Sequence, residues 1–211
     1  MIVEVWSDVV CPWCYIGKRR FEAALARFTD EHPEVEVEVR YRAFMLDPAA
    51  PVGQSEPVRQ AYERKFGGPD AAAAVIERVT EEAAGEGLDF RMAEARRSNT
   101  LAAHRLLVLA EERGRQPELK ERLLAAYFTE GKAIGEIEVL VAEAVAVGLD
   151  GDECRAWLTG GHGRAEVADQ LEFAADNGLT SVPTFVFDRR FAVPGAQPSE
   201  VFVSALEQQL T

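Results

Sequence analysis

The stretch VEVWSDVVCPWCYIGKRRFEAAL, residues 3 to 25, decides how the rest of the chain is read. Ile2, Val3 and Val5 form a short β-branched run around the polar Glu4, and Ser7 and Asp8 then break it. Beyond the break, Phe21, Leu25 and Phe28 recur at helical spacing, so the stretch reads as a strand feeding a helix. Cys11-Pro12-Trp13-Cys14 falls at the start of that helix. Unpaired backbone N–H groups and the positive end of the helix dipole favour an anion there, which suits a thiolate at Cys11. Pro12 fits the first helical turn, where its fixed φ is helical and its missing N–H costs nothing. Two cysteines three residues apart on a helix share a face and can bridge after small adjustment. The expected chemistry is thiol–disulfide exchange.

Working outward, a turn around Asp30, His32 and Pro33 resets the chain, and Val35, Val37 and Val39 then alternate with Glu34, Glu36, Glu38 and Arg40 ahead of Tyr41 to Phe44. This is the clearest strand signal in the sequence. Strand, helix and strand make a βαβ unit with parallel strands and a right-handed crossover. Residues 45–57, MLDPAAPVGQSEP, read as an extended loop leaving the sheet. Residues 55–161 then show only helical stretches, at 58–66, 71–85, 99–113, 118–131, 137–147 and 150–158. A helix over 163–177 with Gly178 as its C′ residue follows, then a hairpin of Thr184–Phe187 and Phe191–Val193, and a closing helix over 198–210. The order β-α-β, helical insert, α-β-β-α predicts an α/β chain with a thioredoxin-like fold and a large all-helical insertion. Residues 1–54 and 162–211 form the thioredoxin-like domain, and 55–161 the inserted subdomain.

Composition narrows the functional classes. Across 211 residues, 36 acidic side chains against 23 basic leave a formal charge of −13, which repels nucleic-acid backbones and anionic lipid. With 47% hydrophobic residues, an ordered globular chain follows. Met1-Ile2-Val3 leads straight into a strand without a leader pattern, so a cytoplasmic location is expected, and there a close cysteine pair is catalytic or metal-binding rather than structural.

The pieces SDVVCPWCYIGKRRFE, SNTLAAHRLL, AYFTEGKAIGE, VPTFVF and VPGAQP resemble the DsbA family of thiol–disulfide oxidoreductases, specifically its cytosolic FrnE-like branch, over nearly the whole length. The resemblance implies that Cys11 attacks, that Cys14 is the buried resolving thiol, and that Val182-Pro183 is a cis peptide facing the pair. An X–Pro bond holds cis at modest cost, and a proline there leaves neighbouring backbone free to pair with an extended substrate; a trans proline opening an edge strand is the other reading. Trp13 stands where the best-known members carry a histidine, so the dipeptide supplies no positive charge of its own. The site is accordingly expected in the reducing half of the range of about −270 to −120 mV spanned by thioredoxin and DsbA. The substrate is a protein, peptide or small thiol carrying a disulfide or dithiol. No cofactor is called for, with glutathione admitted as a co-substrate, and the chain is taken as a monomer or homodimer.

Phe44, Met45, Leu46 and His104 are candidates for a substrate groove beside Trp13 and Val182, although each also suits the core. For His104, helix packing is preferred over proton transfer. A zinc site would have to recruit the scattered Cys154, His32, His104 and His162, so redox chemistry is preferred. Cys154 reads as a buried small hydrophobe, and Lys18, Arg19 and Arg20 as a solvated basic face. Two other classes stay open. A glutathione-dependent isomerase or kappa-class transferase would replace the pair by a serine or single thiol-binding position, and a redox-linked chaperone would use the apolar groove alone.

Overall fold

The computed structural model describes residues 1–210. Strand β1 (Ile2–Ser7) leads through residues 8–11 into helix α1 (Pro12–Glu31), and β2 (Glu38–Ala43) lies parallel to β1, with Ile2 opposite Glu38 and Ser7 opposite Ala43. The strand expected from residue 34 starts four residues later, where pairing with β1 begins at Ile2 and Glu38; just ahead of it the Met1 ammonium bonds the Glu36 carbonyl at 3.0 Å and Glu38 N bonds Met1 O.

The middle of the chain supplies β3 (Ser55–Pro57), α2 (Val58–Phe66), α3 (Pro69–Gly85), β4 (Arg96–Ser98), α4 (Leu101–Glu112), α5 (Gln116–Phe128), α6 (Ile137–Ala146) and α7 (Gly151–Gly160). The expected helices are present, with ends shifted by a few residues. The insertion also carries a small antiparallel ribbon of β3 and β4. Ser-Glu-Pro and Arg-Arg-Ser are too short and too polar to show alternation. Polar contacts hold them: Arg97 reaches Glu56 at 2.7 Å and also pairs with Asp47, while Arg96 bonds Ser55 Oγ at 3.0 Å.

Helix α8 (Arg164–Asp176) returns the chain to the hairpin of β5 (Thr184–Phe187) and β6 (Phe191–Pro194), and α9 (Ser199–Glu207) follows. Gly178, with φ +68°, closes α8 as expected. The sheet order is β2-β1-β5-β6, with β5 antiparallel to β1 and to β6. The three-residue hairpin connection, Asp188 to Arg190, has positive φ at Asp188 (45°) and Arg189 (55°). Its side chains are tied down: Ile2 N donates to Asp188 Oδ1 at 2.6 Å, and Arg189 reaches Glu4 at 3.0 Å.

β1 separates two environments. Val3 and Val5 pack with Phe21, Phe28, Phe185, Phe187 and Phe202 between the sheet and α1 and α9. Glu4, on the other face, is buried and pairs with the half-buried Arg42 and the exposed Arg189; burial alone would raise its pKa, and the hydrogen bonds from Arg189 and Arg42 overcome that and lower it. The insertion's core of Leu106, Leu109, Leu119, Leu123 and Phe128 takes in Val9, Tyr15 and Ile16 as well, so α1 belongs to both hydrophobic clusters. The start of α1 therefore lies on the seam between them. Among the described residues, no helix is long and apolar enough to cross a membrane.

Candidate functional site

Cys11 is the N-cap of α1, in extended backbone geometry (φ −90°, ψ 114°), with Pro12 in the first turn. This sets its sulfur beside the positive end of a 20-residue helix. Cys11 and Cys14 are both free thiols, each 3% exposed. The Cys11 thiol donates to the Val182 carbonyl at an Sγ···O distance of 3.7 Å, and the Val182–Pro183 peptide is cis. The Cys14 pKa is pushed well up, first by burial and then by the hydrogen bond to Cys11 and its charge; Lys120 and the Asp8 backbone act in the opposite direction. A proton on Cys14 is thus held until something nearby favours its loss.

Gly17, one turn on from Trp13, allows the Pro183 loop to close on α1. A Cβ at that position would lie 2.9 Å from Pro183 Cγ and 3.3 Å from Ala196 Cα. Gly17→Ala is therefore expected to destabilise the fold by about 1–3 kcal/mol and to slow disulfide exchange, because the loop must back away from the cysteine pair. Gly85→Ala is the control. Its Cβ meets nothing within 4 Å, and removing a helical glycine should stabilise by up to about 1 kcal/mol. Urea unfolding of both variants checks the contrast.

A cleft of about 390 Å³ opens beside the pair, walled by Val10, Leu46, Val58, Ala61, Tyr62 and Tyr127, with Arg64, Lys65 and Arg97 among its polar residues. Burial, and then the charge of Cys11, push the Tyr62 phenol up to about 12. Leu46 stands in the wall as expected of a groove residue, whereas Phe44 and Met45 are half-buried outside it. His104 is 2% exposed and sits behind the cleft rather than in its wall, with Nε2 3.2 Å from Asp8 Oδ1. Asp8 is fully buried; its other carboxylate oxygen accepts from Leu46 N at 2.8 Å, and its carbonyl accepts from Cys11 N at 3.4 Å. His104 thus fixes, through Asp8, both the loop entering α1 and the segment leaving β2.

The basic run on α1 is not a solvated face. Lys18 is buried and bonds Glu22 at 2.5 Å and Glu121 at 2.6 Å, and Arg19 also pairs with Glu121. Arg20 reaches Glu86 at 2.6 Å, Glu82 at 2.9 Å and the Ala196 carbonyl at 2.8 Å. Helices α3 and α5 cover this side of α1 and bring the acids with them. Helix α3 also places the Arg78 guanidinium 5.7 Å from the Trp13 ring centroid, so a cation from the insertion stands at the active-site dipeptide. Asp8, Tyr62, Arg78 and Lys120 escape a reading of the sequence. Only Lys120 leaves a local trace, since it shares the spacing of the buried Leu123, Leu124 and Tyr127 on α5. Cys154 is buried within α7, and burial raises its pKa.

A family model described as a DSBA-like thioredoxin domain matches residues 2–207. The crystal structure of a probable DsbA oxidoreductase from Streptomyces coelicolor superposes with a TM-score of 0.91 at 42% identity, covering 99% of this chain and 89% of that one. The uncharacterized protein YwbO of Bacillus subtilis is 28% identical over 208 residues, 98% of this chain and 96% of its own length. The cytosolic disulfide reductase DsbM of Pseudomonas aeruginosa shares the fold, with a TM-score of 0.69 at 22% identity and coverage of 100% and 98%.

Proposed function

The chain belongs to the DSBA-like thioredoxin domain family, and from that membership we propose that it is a disulfide reductase working through a mixed disulfide on Cys11. The observation that carries this reading is the Cys11 thiol at the α1 N-terminus, 3.7 Å from the Val182 carbonyl, with the buried Cys14 hydrogen-bonded to it one helical turn on. Cys11 attacks a substrate disulfide and expels one thiol. Cys14 then attacks Cys11, closing the pair and releasing the second thiol; two equivalents of a reduced thiol reopen the pair and leave joined as their own disulfide.

The cleft is the natural substrate seat. Its apolar walls suit an extended peptide or a small disulfide. Arg64 and Arg97 are already paired with Glu56, so Lys65 is the cleft cation for which no acidic partner is found among the described residues. That favours peptide or small-molecule substrates carrying a carboxylate near the disulfide. The reducing direction follows from Trp13 standing at the dipeptide, and it suits a cytoplasmic location. The frame is assigned to residues 1–54 and 162–211 and the insertion to 55–161, and the FrnE-like placement rests on the motif pieces quoted above.

The test is reduction of insulin disulfides in the presence of a thiol reductant. Wild type should accelerate precipitation of the insulin chains, and Cys11→Ser should fall to the rate of buffer alone. Equal rates for the two would overturn the proposal.

A further inference from the structure

Lys120 is a buried ammonium group without a hydrogen bond. It is 1% exposed, and its Nζ finds no partner among the described residues. An unpaired buried cation is costly, and a lysine on an amphipathic helix ordinarily avoids it by reaching water. What surrounds Lys120 explains its retention. The groups acting on it are Cys14 and Cys11 at the start of α1, Asp8 in the preceding loop, and Lys18 further along α1. From β2, the Tyr41 ring offers its face with the centroid 5.7 Å from Nζ. His104 of α4 is engaged with Asp8, and Glu143 of α6 with Arg122 and Lys132. Apart from Asp8, the anions this cation can answer are those of the cysteine pair, and they exist only while the pair is reduced.

We propose that Lys120 is a redox-linked proton site, charged while a thiolate stands at Cys11 or Cys14 and neutral once the two sulfurs are joined. The inference rests on the redox cycle proposed above. Cys11 thiolate, Cys14 thiol and Lys120 ammonium react with a substrate disulfide. The products are the Cys11–Cys14 disulfide, a neutral Lys120 amine and two substrate thiols. Two electrons pass to the substrate, its S–S bond breaks as the internal one forms, and the protons on the two leaving sulfurs match those lost by Cys14 and Lys120. Within the cycle, the Lys120 charge favours Cys14 giving up its proton at the moment when it must attack Cys11. It is a positioning charge rather than a group in contact with the reacting sulfurs.

Burial pushes Lys120 down to about 8 in the reduced pair, although the cysteines and Asp8 hold it up. Joining the sulfurs removes the cysteine contribution and leaves burial and Lys18 to lower it further. Its proton affinity should therefore be weaker in the oxidised protein, by about tenfold or more.

The experiment is an NMR titration of protein labelled with ¹³Cε-lysine, in the dithiol state and after oxidation with glutathione disulfide. The Lys120 resonance is identified by its absence from Lys120→Met and Lys120→Arg. A titration midpoint at least tenfold lower in proton affinity in the oxidised state is expected; the same midpoint in both states overturns the inference. In parallel, release of the mixed disulfide by Cys14 should slow about tenfold at neutral pH in Lys120→Met and recover in Lys120→Arg, with the first attack by Cys11 unchanged. An unchanged release rate in Lys120→Met overturns the positioning role. A pair that never closes overturns the redox reading and this inference with it, whereas a pair that closes around an unmoved Lys120 overturns the inference alone. Should Lys120→Met not fold, Lys120→Arg supplies the assignment and the titration on wild type decides.

Discussion

Cys14→Ser is expected to convert the protein from a turnover catalyst into a stoichiometric trap. Mixed with a peptide disulfide, this variant should accumulate a covalent adduct on Cys11 approaching one per chain, seen as a mass increase that a reductant removes. The reason lies in the positions of the two sulfurs. Cys11 caps the helix start, whereas Cys14 lies one turn on with a pKa pushed well up by burial and by Cys11. Only the Cys14 thiol is placed to expel the second substrate thiol, and serine cannot form the S–S bond. Cys11→Ser should form no adduct at all, because the remaining thiol is buried and protonated. Adduct formation on Cys14 in that variant, or continued turnover by Cys14→Ser, would contradict the assignment of roles.

Phe21→Ala is expected to lower the unfolding free energy by about 3–5 kcal/mol, the largest stability effect at any position near the site. Phe21 is 1% exposed, and its ring lies 5.1 Å from Phe185, 5.6 Å from Phe202 and 6.4 Å from Phe187 between centroids. One side chain therefore joins α1, β5 and α9. Truncation leaves a cavity ringed by aromatic groups that cannot collapse into it without moving the helix capped by the attacking cysteine, or the strand that follows Val182 and Pro183. Urea unfolding measures the loss, and Phe21→Leu should be much milder because it keeps most of the volume. A change below about 1 kcal/mol for the alanine variant would show that α1 is not held through this cluster.

Much of this architecture is legible in the sequence because it rests on local signals. The apolar spacing after Cys-x-x-Cys locates α1, the β-rich runs locate β1, β5 and β6, and glycines and prolines mark several of the ends. The places where the reading stops are those decided by distant parts of the chain. The Val35 and Val37 alternation is a strand signal without a strand, because the pairing of β2 with β1 begins only at Ile2 and Glu38. The ribbon of β3 and β4 exists through ion pairs formed across some forty residues. At the site, Cys11, Cys14, Pro12, Trp13, Val182 and Pro183 are brought together from motifs 170 residues apart, as Cys11 bonding to Val182 illustrates. Asp8 and Lys120 are different. A lone aspartate after a strand signals nothing, and the apolar spacing that Lys120 shares on α5 marks it as buried without placing it near a cysteine pair. His104 is likewise ambiguous until Asp8 is found opposite it. Lys18 to Arg20 look solvated until α3 and α5 are laid over them.

The most direct measurement is the redox equilibrium of the cysteine pair in a series of glutathione buffers, with each state quenched by alkylation and weighed intact. The predicted result is a single reversible transition in which Cys11 and Cys14 close on one another and Cys154 stays free. Its midpoint should lie on the reducing side of about −120 mV, the potential of DsbA. Independent glutathione adducts on the separate thiols at every buffer ratio, with no internal disulfide, would contradict a site built on a sulfur at the helix start and a partner one turn behind it.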